Sequence, residues 1–180
     1  MSQDLESTGG AATETPPAAE AHRAEGELLQ LVTFVVGAEE FAVPILSVHE
    51  INRMMEITRV PQSPEFVEGV INLRGKIIPV VDLRRRFGME ARERGSDDRI
   101  VVVEVGGRVI GFTVDRVNEV LRIDAGIVEP APGMVTGLDS QYVQGVGKLD
   151  DRLLILLDLN NLFLASELKQ MSGVAEAASV

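Results

Sequence analysis

The 180-residue chain contains no cysteine and no tryptophan. Without thiols it can form neither disulfides nor thiolate metal sites, a composition that suits a reducing compartment. Aromatic residues make up only 4% of the chain, so a core has to be filled with Val, Ile and Leu. No apolar stretch reaches the roughly 18 residues that a membrane span requires. The first residues hold neither the basic nor the apolar segment of a secretory signal, so none is expected. Lysine and arginine together number 17 against 28 acidic residues, a formal charge of −11. That balance disfavours nonspecific binding to nucleic acid or to an anionic membrane.

What is present is aliphatic and β-branched: hydrophobic residues are 45% of the chain. The length corresponds to one or two domains and buries roughly 70% of the unfolded surface. Residues 1–26 are rich in Ala, Glu, Thr, Gly and Pro with almost no large apolar side chains. They cannot bury enough to offset ordering and are expected to be a disordered tail. From Leu28 the pattern is β-type, with Leu29, Leu31, Thr33 and Val35 alternating with their neighbours. Gly37–Glu40 reads as a hairpin turn, Phe41–Val43 as a strand ended by Pro44, and Pro64-Glu65-Phe66 as a short helix.

The same pattern then occurs twice. Residues 67–87, VEGVINLRGKIIPVVDLRRRF, align without a gap with residues 143–163, VQGVGKLDDRLLILLDLNNLF. Both carry V-x-G-V-x-x-L, an aliphatic run, and D-L-x-x-x-F. Ahead of each copy, Val48-His49-Glu50-Ile51 answers to Val117-Asn118-Glu119-Val120, after apolar runs that begin at Gly37 and Gly106. A repeat of about 70 residues is too long for a solenoid unit and implies a duplicated supersecondary element. Each copy predicts a hairpin: Val67–Leu73 and Lys76–Val81 around an Arg74-Gly75 turn, and Tyr142–Leu149 and Arg152–Leu157 around Asp150-Asp151. Asp82 is a candidate N-cap for a helical turn over 82–87. Residues 90–98 read as a charged loop joining the halves. Further strands are predicted near Ile100–Glu104, Arg108–Val114 and Val117–Arg122, a loop at Pro130–Gly133, and a terminal helix over Asn161–Met171 with a frayed Ala-rich tail. Many short strands with regular turn signals define an all-β fold built as a pair of packed barrels.

Catalytic constellations are scarce. His22 falls in the tail, and His49 beside Glu50 fits an exposed strand position as well as any site. The chain has no HxH or CxxC spacing, no G-x-G-x-x-G and no P-loop. Asp82 and Asp158 stand at matching positions, which argues for caps over paired catalytic carboxylates. Arg84-Arg85-Arg86 has no basic counterpart in the second half; it reads as a solvated helical turn, with a docking patch for an acidic protein as the alternative. Gly69 and Gly145 either share a backbone requirement or, for Gly69, let a partner approach closely. No cofactor or metal is expected, and what remains is a binding surface.

Gly69–Arg84, GVINLRGKIIPVVDLR, resembles the hallmark of the CheW family of bacterial chemotaxis coupling proteins. V-x-E-I at Val48–Ile51, T-R-V-P-x-S-P at Thr58–Pro64, and P-A-P at Pro130–Pro132 are similar to it in the same order, so the resemblance spans about residues 28–165. It implies two packed five-stranded SH3-like barrels with short helices and a C-terminal helix. The corresponding division is a tail over 1–26, a CheW-like domain over 27–165 with subdomains at about 40–95 and 100–157 and terminal strands open to exchange, and a helix end and tail over 166–180. It implies a cytoplasmic scaffold that joins a transmembrane chemoreceptor to the histidine kinase CheA. The kinase's regulatory domain would pack barrel end to barrel end, and the receptor's helical hairpin would lie in a hydrophobic groove between the barrels. Partner binding is expected at Val48, Glu50, Ile51, Gly69, Asn72, Arg74 and Gly75. An adaptor of a type IV pilus array shares every motif; from another class, a small hydrolase remains open. The halves also differ where function should diverge: Glu50 is matched by Glu119, but Arg74 by Asp150. A Glu50–Arg74 ion pair is therefore expected on the first barrel, against the alternative of a solvated arginine.

Overall fold

The computed structural model describes residues 27–130, 134–135 and 138–178. The expected disordered tail and part of the Pro130–Gly133 loop lie outside the described residues. The chain runs β1 (Leu28–Val36), β2 (Glu39–Pro44), β3 (Val48–Arg53), β4 (Val67–Leu73), β5 (Lys76–Asp82), α1 (Leu83–Arg86), β6 (Arg99–Val105), β7 (Arg108–Val114), β8 (Arg116–Asp124), β9 (Val128–Glu129), β10 (Met134–Val135), β11 (Leu138–Asp139), β12 (Val143–Leu149), β13 (Arg152–Leu157), α2 (Leu159–Leu162) and α3 (Ala165–Ala178).

The strands form a five-stranded sheet in the order β3-β6-β7-β5-β4, a six-stranded sheet in the order β8-β1-β2-β13-β12-β9, and the small β10-β11 ribbon. The duplication is visible in these orders. With β1-β2 equated to β6-β7, β3 to β8, and β4-β5 to β12-β13, both large sheets have the same topology. The registers agree as well: β5 runs parallel to β7 with Val80 opposite Gly111, and β13 runs parallel to β2 with Leu156 opposite Ala42. A bulge interrupts the β4-β5 pairing between Val67 and Gly69, and its counterpart lies between Val143 and Gly145.

Each half lends its first hairpin to the other's sheet. Strand pairing groups β1-β2 with β8, β12 and β13, and β6-β7 with β3, β4 and β5. Connection length supplies the reason. Only Asp115 separates β7 from β8, and a single residue cannot make the tight reversal that an antiparallel neighbour needs. The chain must turn a corner into the second sheet. The 3₁₀ turn Ile45–Ser47 makes the equivalent corner between β2 and β3.

Each sheet also curls back on itself. After β3 the chain reaches Thr58, whose N–H donates to the Val70 carbonyl at 2.9 Å while Val70 N–H donates back at 2.8 Å. After β8, β9 pairs with β12 in the same way. The extra strand of the second sheet is thus the longer version of one bridge in the first.

Three apolar clusters follow from this geometry. Ile71, Ile78, Val80, Ile100 and Val102 fill the first barrel. Leu31, Ala42, Ile123, Leu154 and Leu156 fill the second. Between them lies the largest cluster, with Phe34, Phe41, Phe112, Val101, Val103, Ile110, Ile155 and Leu157. The central strands are therefore buried on both faces, and residues 31–34 are all inaccessible. The alternation read at Leu29–Val35 does not separate core from solvent for this reason.

Other local readings change for equally local reasons. Pro64-Glu65-Phe66 is a turn closed by Val67 N–H donating to the Pro64 carbonyl at 3.0 Å, not a helix, because β4 starts at Val67. The terminal helix is split into α2 and α3, and α3 continues to Ala178 rather than fraying after Met171. It is held by Leu168, Met171 and Val174, which join the inter-barrel cluster. Asp82 caps α1 by accepting from Arg84 N–H at 3.0 Å, and Asp158 caps α2 by accepting from Asn160 N–H at 3.1 Å.

Of the three arginines after Asp82, Arg84 and Arg86 are neither solvated nor free for docking, whereas Arg85 is exposed as expected. Arg86 donates to the Leu162 carbonyl at 2.7 Å and to both Glu167 oxygens at 2.7 and 2.8 Å. Its guanidinium lies over Phe66, Tyr142 and Phe163. Arg84 forks onto Asp115 at 3.2 and 2.8 Å. Arg85 reaches the Glu65 carbonyl at 3.1 Å and lies 3.6 Å from Asp82.

Asp115 also accepts from Gly37 N–H at 2.8 Å and lies 2.9 Å from Arg92. Burial alone would raise its carboxyl pKa. The Arg84, Arg92 and Gly37 donors outweigh that and hold it below the ordinary 3.8. Its stabilising effect is therefore full above that value and is lost as pH falls through the lower folded value. Asp115→Asn is expected to cost about 1–3 kcal/mol near neutral pH, read as a lowered melting temperature. The gap to the parent protein should narrow in strong acid; a gap that stays constant there would sink this assignment.

Candidate functional site

β3 is one edge of the first sheet and β4 the other. Curling brings the two together, and the residues expected to meet partners gather at this closure. Along β3, Val48, Glu50 and Asn52 are half-buried while His49, Ile51 and Arg53 face outward. Ile51 is 39% exposed, an aliphatic side chain presented at a sheet edge. His49 Nε2 lies 3.0 Å from Glu104 Oε1 on the neighbouring strand.

The β4-β5 turn supplies the other side. Arg74 and Gly75 both have positive φ, 54° and 86°, the conformation of a two-residue hairpin turn matched to strand twist. Gly75 adopts it freely, whereas a residue with a Cβ is disfavoured there by about 1–2 kcal/mol. Asn72 supports the turn, its Oδ1 accepting from Gly75 N–H at 2.9 Å. The turn aims the Arg74 fork at β3. Nη1 donates to Glu50 Oε2 at 2.9 Å, and Nη2 donates to Oε1 at 2.8 Å and Oε2 at 3.0 Å. The expected Glu50–Arg74 pair is formed, and it spans the seam of the first barrel. With the Arg74 side chain 69% exposed and Glu50 27%, such a pair adds only about 0–1 kcal/mol to folding. Its planar geometry fixes a shape more than it stabilises one.

Gly69 does not belong to this surface. It is buried, and a Cβ placed on it would lie 2.3 Å from the Thr58 carbonyl oxygen and 2.8 Å from Ile57 Cγ2. At Gly145 a Cβ would lie 2.6 Å from Val128 Cγ1 and 3.0 Å from the Glu129 carbonyl oxygen. Both glycines let the barrel's own returning segment approach, so the shared backbone requirement is the correct reading and the partner contact is not.

The second half presents a different clamp. Glu119, the counterpart of Glu50, pairs with Arg152 at 2.7 Å. Arg152 also lies 3.2 Å from Glu40. The cation thus arrives from the start of β13 rather than from the turn. Position 150 carries an aspartate, so the two barrel ends differ in the placement of charge.

The lining residues of one feature carried no mark of it in the sequence. An open apolar groove of about 240 Å³, lined by Leu28, Leu31, Ala42, Ile45, Leu46 and Leu156, lies where the chain leaves β2 for β3. Leu46 is 95% exposed and Leu28 58%. Ordinary strand and turn residues form it, and only the corner at 45–47 gathers them.

Paired barrels with an aliphatic core, a charged clamp at one seam and an adjoining apolar groove define a protein-binding scaffold module. Comparison with known proteins agrees: the sequence model of the CheW-like domain matches residues 30–167. The chain is 36% identical to the chemotaxis protein CheW of Klebsiella aerogenes over 148 residues, covering 82% of this chain and 89% of that protein. It is 39% identical to the CheW of Helicobacter pylori over 131 residues, covering 73% and 79% of the two. The crystal structure of the scaffolding protein CheW from Thermoanaerobacter tengcongensis superposes with a TM-score of 0.73 at 42% identity, over 78% of this chain and 96% of that one. The chain belongs to the CheW family.

Substitution tests the reassigned glycines. Gly69→Ala and Gly145→Ala should each destabilise by about 1–3 kcal/mol, as overpacking does, with Gly69→Ala the worse because backbone rather than a side chain is in the way. Denaturant midpoints would show it, and a Gly69→Ala protein of unchanged stability would refute the close-approach account.

Proposed function

We infer that this protein is a non-catalytic adaptor of bacterial chemotaxis signalling, coupling transmembrane chemoreceptors to the histidine kinase CheA. Membership of the CheW family supports the role. The observation that carries the molecular reading is the Arg74 fork locked on Glu50 across the first barrel's seam. It yields a rigid charged rim beside exposed Ile51, a surface suited to recognising a protein face. Val48, Glu50, Ile51, Asn72, Arg74 and Gly75 form or support this face; Gly69 acts only through the fold.

The kinase's regulatory domain meets the barrel end, where the clamp sets register through charge and Ile51 supplies apolar contact. The receptor's helical hairpin takes the apolar groove beside the β2-β3 corner, where Leu46 and Leu28 offer anchors of the kind that helix-in-groove recognition uses. The protein works in the cytoplasm, at the inner face of the membrane through its receptors. No helix among the described residues is long and apolar enough to cross a membrane, so attachment is assigned to partners.

Arg74→Asn provides a sharp test, because Asn-Gly is the preferred pair for this turn. The variant should melt at the parent temperature or higher, yet fail to assemble with kinase and receptor. Intact folding with normal assembly would sink the role of the clamp. Deleting residues 1–26, which lack apolar anchors, should leave kinase affinity within about tenfold, or about 1.4 kcal/mol; a larger loss in a titration would show that the acidic segment takes part.

A further inference from the structure

Neither half of this chain can complete a sheet alone. Residues 28–87 supply β1-β2 to one sheet and β3-β4-β5 to the other, and residues 99–163 supply the complementary strands. The contacts between the halves are therefore strand pairings, β1 with β8, β2 with β13, β3 with β6 and β5 with β7, together with the inter-barrel cluster. Apart from the covalent link, the halves are related as the subunits of an interlocked dimer.

That link is the segment 88–98, which contains no regular secondary structure. It is held by ions rather than by a core. Arg92 reaches Asp98 at 2.7 Å and Asp115 at 2.9 Å, and Arg94 pairs with Glu68. Met89 is its main apolar contact, with Sδ set against the β1-β2 turn at Gly37. Hinge segments of this sort between elements that pack on each other are where identical chains exchange parts.

We propose that each half is also an interlocking surface for the opposite half of a second copy of this chain, with 88–98 as the hinge and the Arg92 and Arg94 ion pairs as the catch that keeps both halves in one chain. The exchanged dimer needs no new interface, since every strand finds the neighbour it has in the monomer. It carries two Glu50–Arg74 faces in one particle, and so is bivalent toward partners. Loss of the ionic catch favours opening, and added salt acts in the same direction on these partly exposed pairs.

The test shortens the hinge by deleting residues 90–95, which removes Arg92 and Arg94 and leaves too little chain for the halves to fold back comfortably on each other. Light scattering after gel filtration should give twice the mass of one shortened chain, with strand content retained. A folded, monomeric variant would overturn the proposal. Because the deletion can simply fail to fold, a second experiment uses full-length chains carrying Val80→Asp or Leu156→Asp, which break the matching buried positions of opposite halves. Each should be insoluble alone. Co-expressed, they can exchange halves to build one lobe with no substitution, and should co-purify one to one through a tag on either. Failure of this rescue together with an insoluble deletion variant would equally overturn the proposal.

Discussion

Everything else in this molecule depends on one constraint: the chain changes sheet at a corner too short for a reversal. Asp115 is the whole connection between β7 and β8. The same residue gathers Gly37 from the β1-β2 turn, Arg84 from α1 and Arg92 from the linker. A half-buried carboxylate with so many donors is stabilised as an anion. It fixes the angle at which the first hairpin of the second half leaves one sheet and the rest of that half enters the other. The apolar cluster between the barrels then forms because the exchanged hairpins are covered on both faces.

Duplication explains why the cores stay alike while the edges diverge. Positions such as Val80 and Leu156, or Ile78 and Leu154, face equivalent interiors and remain aliphatic. The segments that leave each half do not. After α1 the chain lays Met89 on Gly37, and after α2 it lays Leu168 on the equivalent Gly106. One segment continues as an ion-held linker and the other as the helix α3, so the same socket is capped in two ways. Arg86 enforces the difference, since its fork on Leu162 and Glu167 ties α1 to α2 and to the start of α3.

The clamp at the seam follows a different logic from the core. Glu50–Arg74 is exposed and adds little to folding. It also sits on a turn whose left-handed backbone disfavours an arginine. An arginine at such a position, matched by Asp150 in the other half, is not explained by what it adds to folding. In an adaptor, specificity resides in the placement of charge around an aliphatic patch rather than in a reactive group.

Much of this was legible in the residues themselves. V-x-G-V-x-x-L followed by D-L-x-x-x-F marked both hairpins to within a residue, because hairpin registers and caps are local and the copies support each other. The Glu50–Arg74 pair was accessible from the comparison of copies, since a charge present in only one copy is not required by the shared core. Other features were decided by packing over long separations. The exchange of hairpins depends on which sheet a strand joins after a one-residue corner, and periodicity carries no mark of that when both faces are buried. Gly69 could be read as a backbone requirement or as an opening for a partner, and the return of Thr58 against it favours the first. Arg84 and Arg86 read as a solvated run because Asp115, Leu162 and Glu167, far away in sequence, are their partners. The amino-acid sequence by itself determined the aliphatic composition, the duplicated hairpins and the turn that carries Arg74, all of which rest on contacts between near neighbours. Only the tertiary structure decided which half completes which sheet and which surfaces remain open, because those depend on which distant segments come to lie side by side.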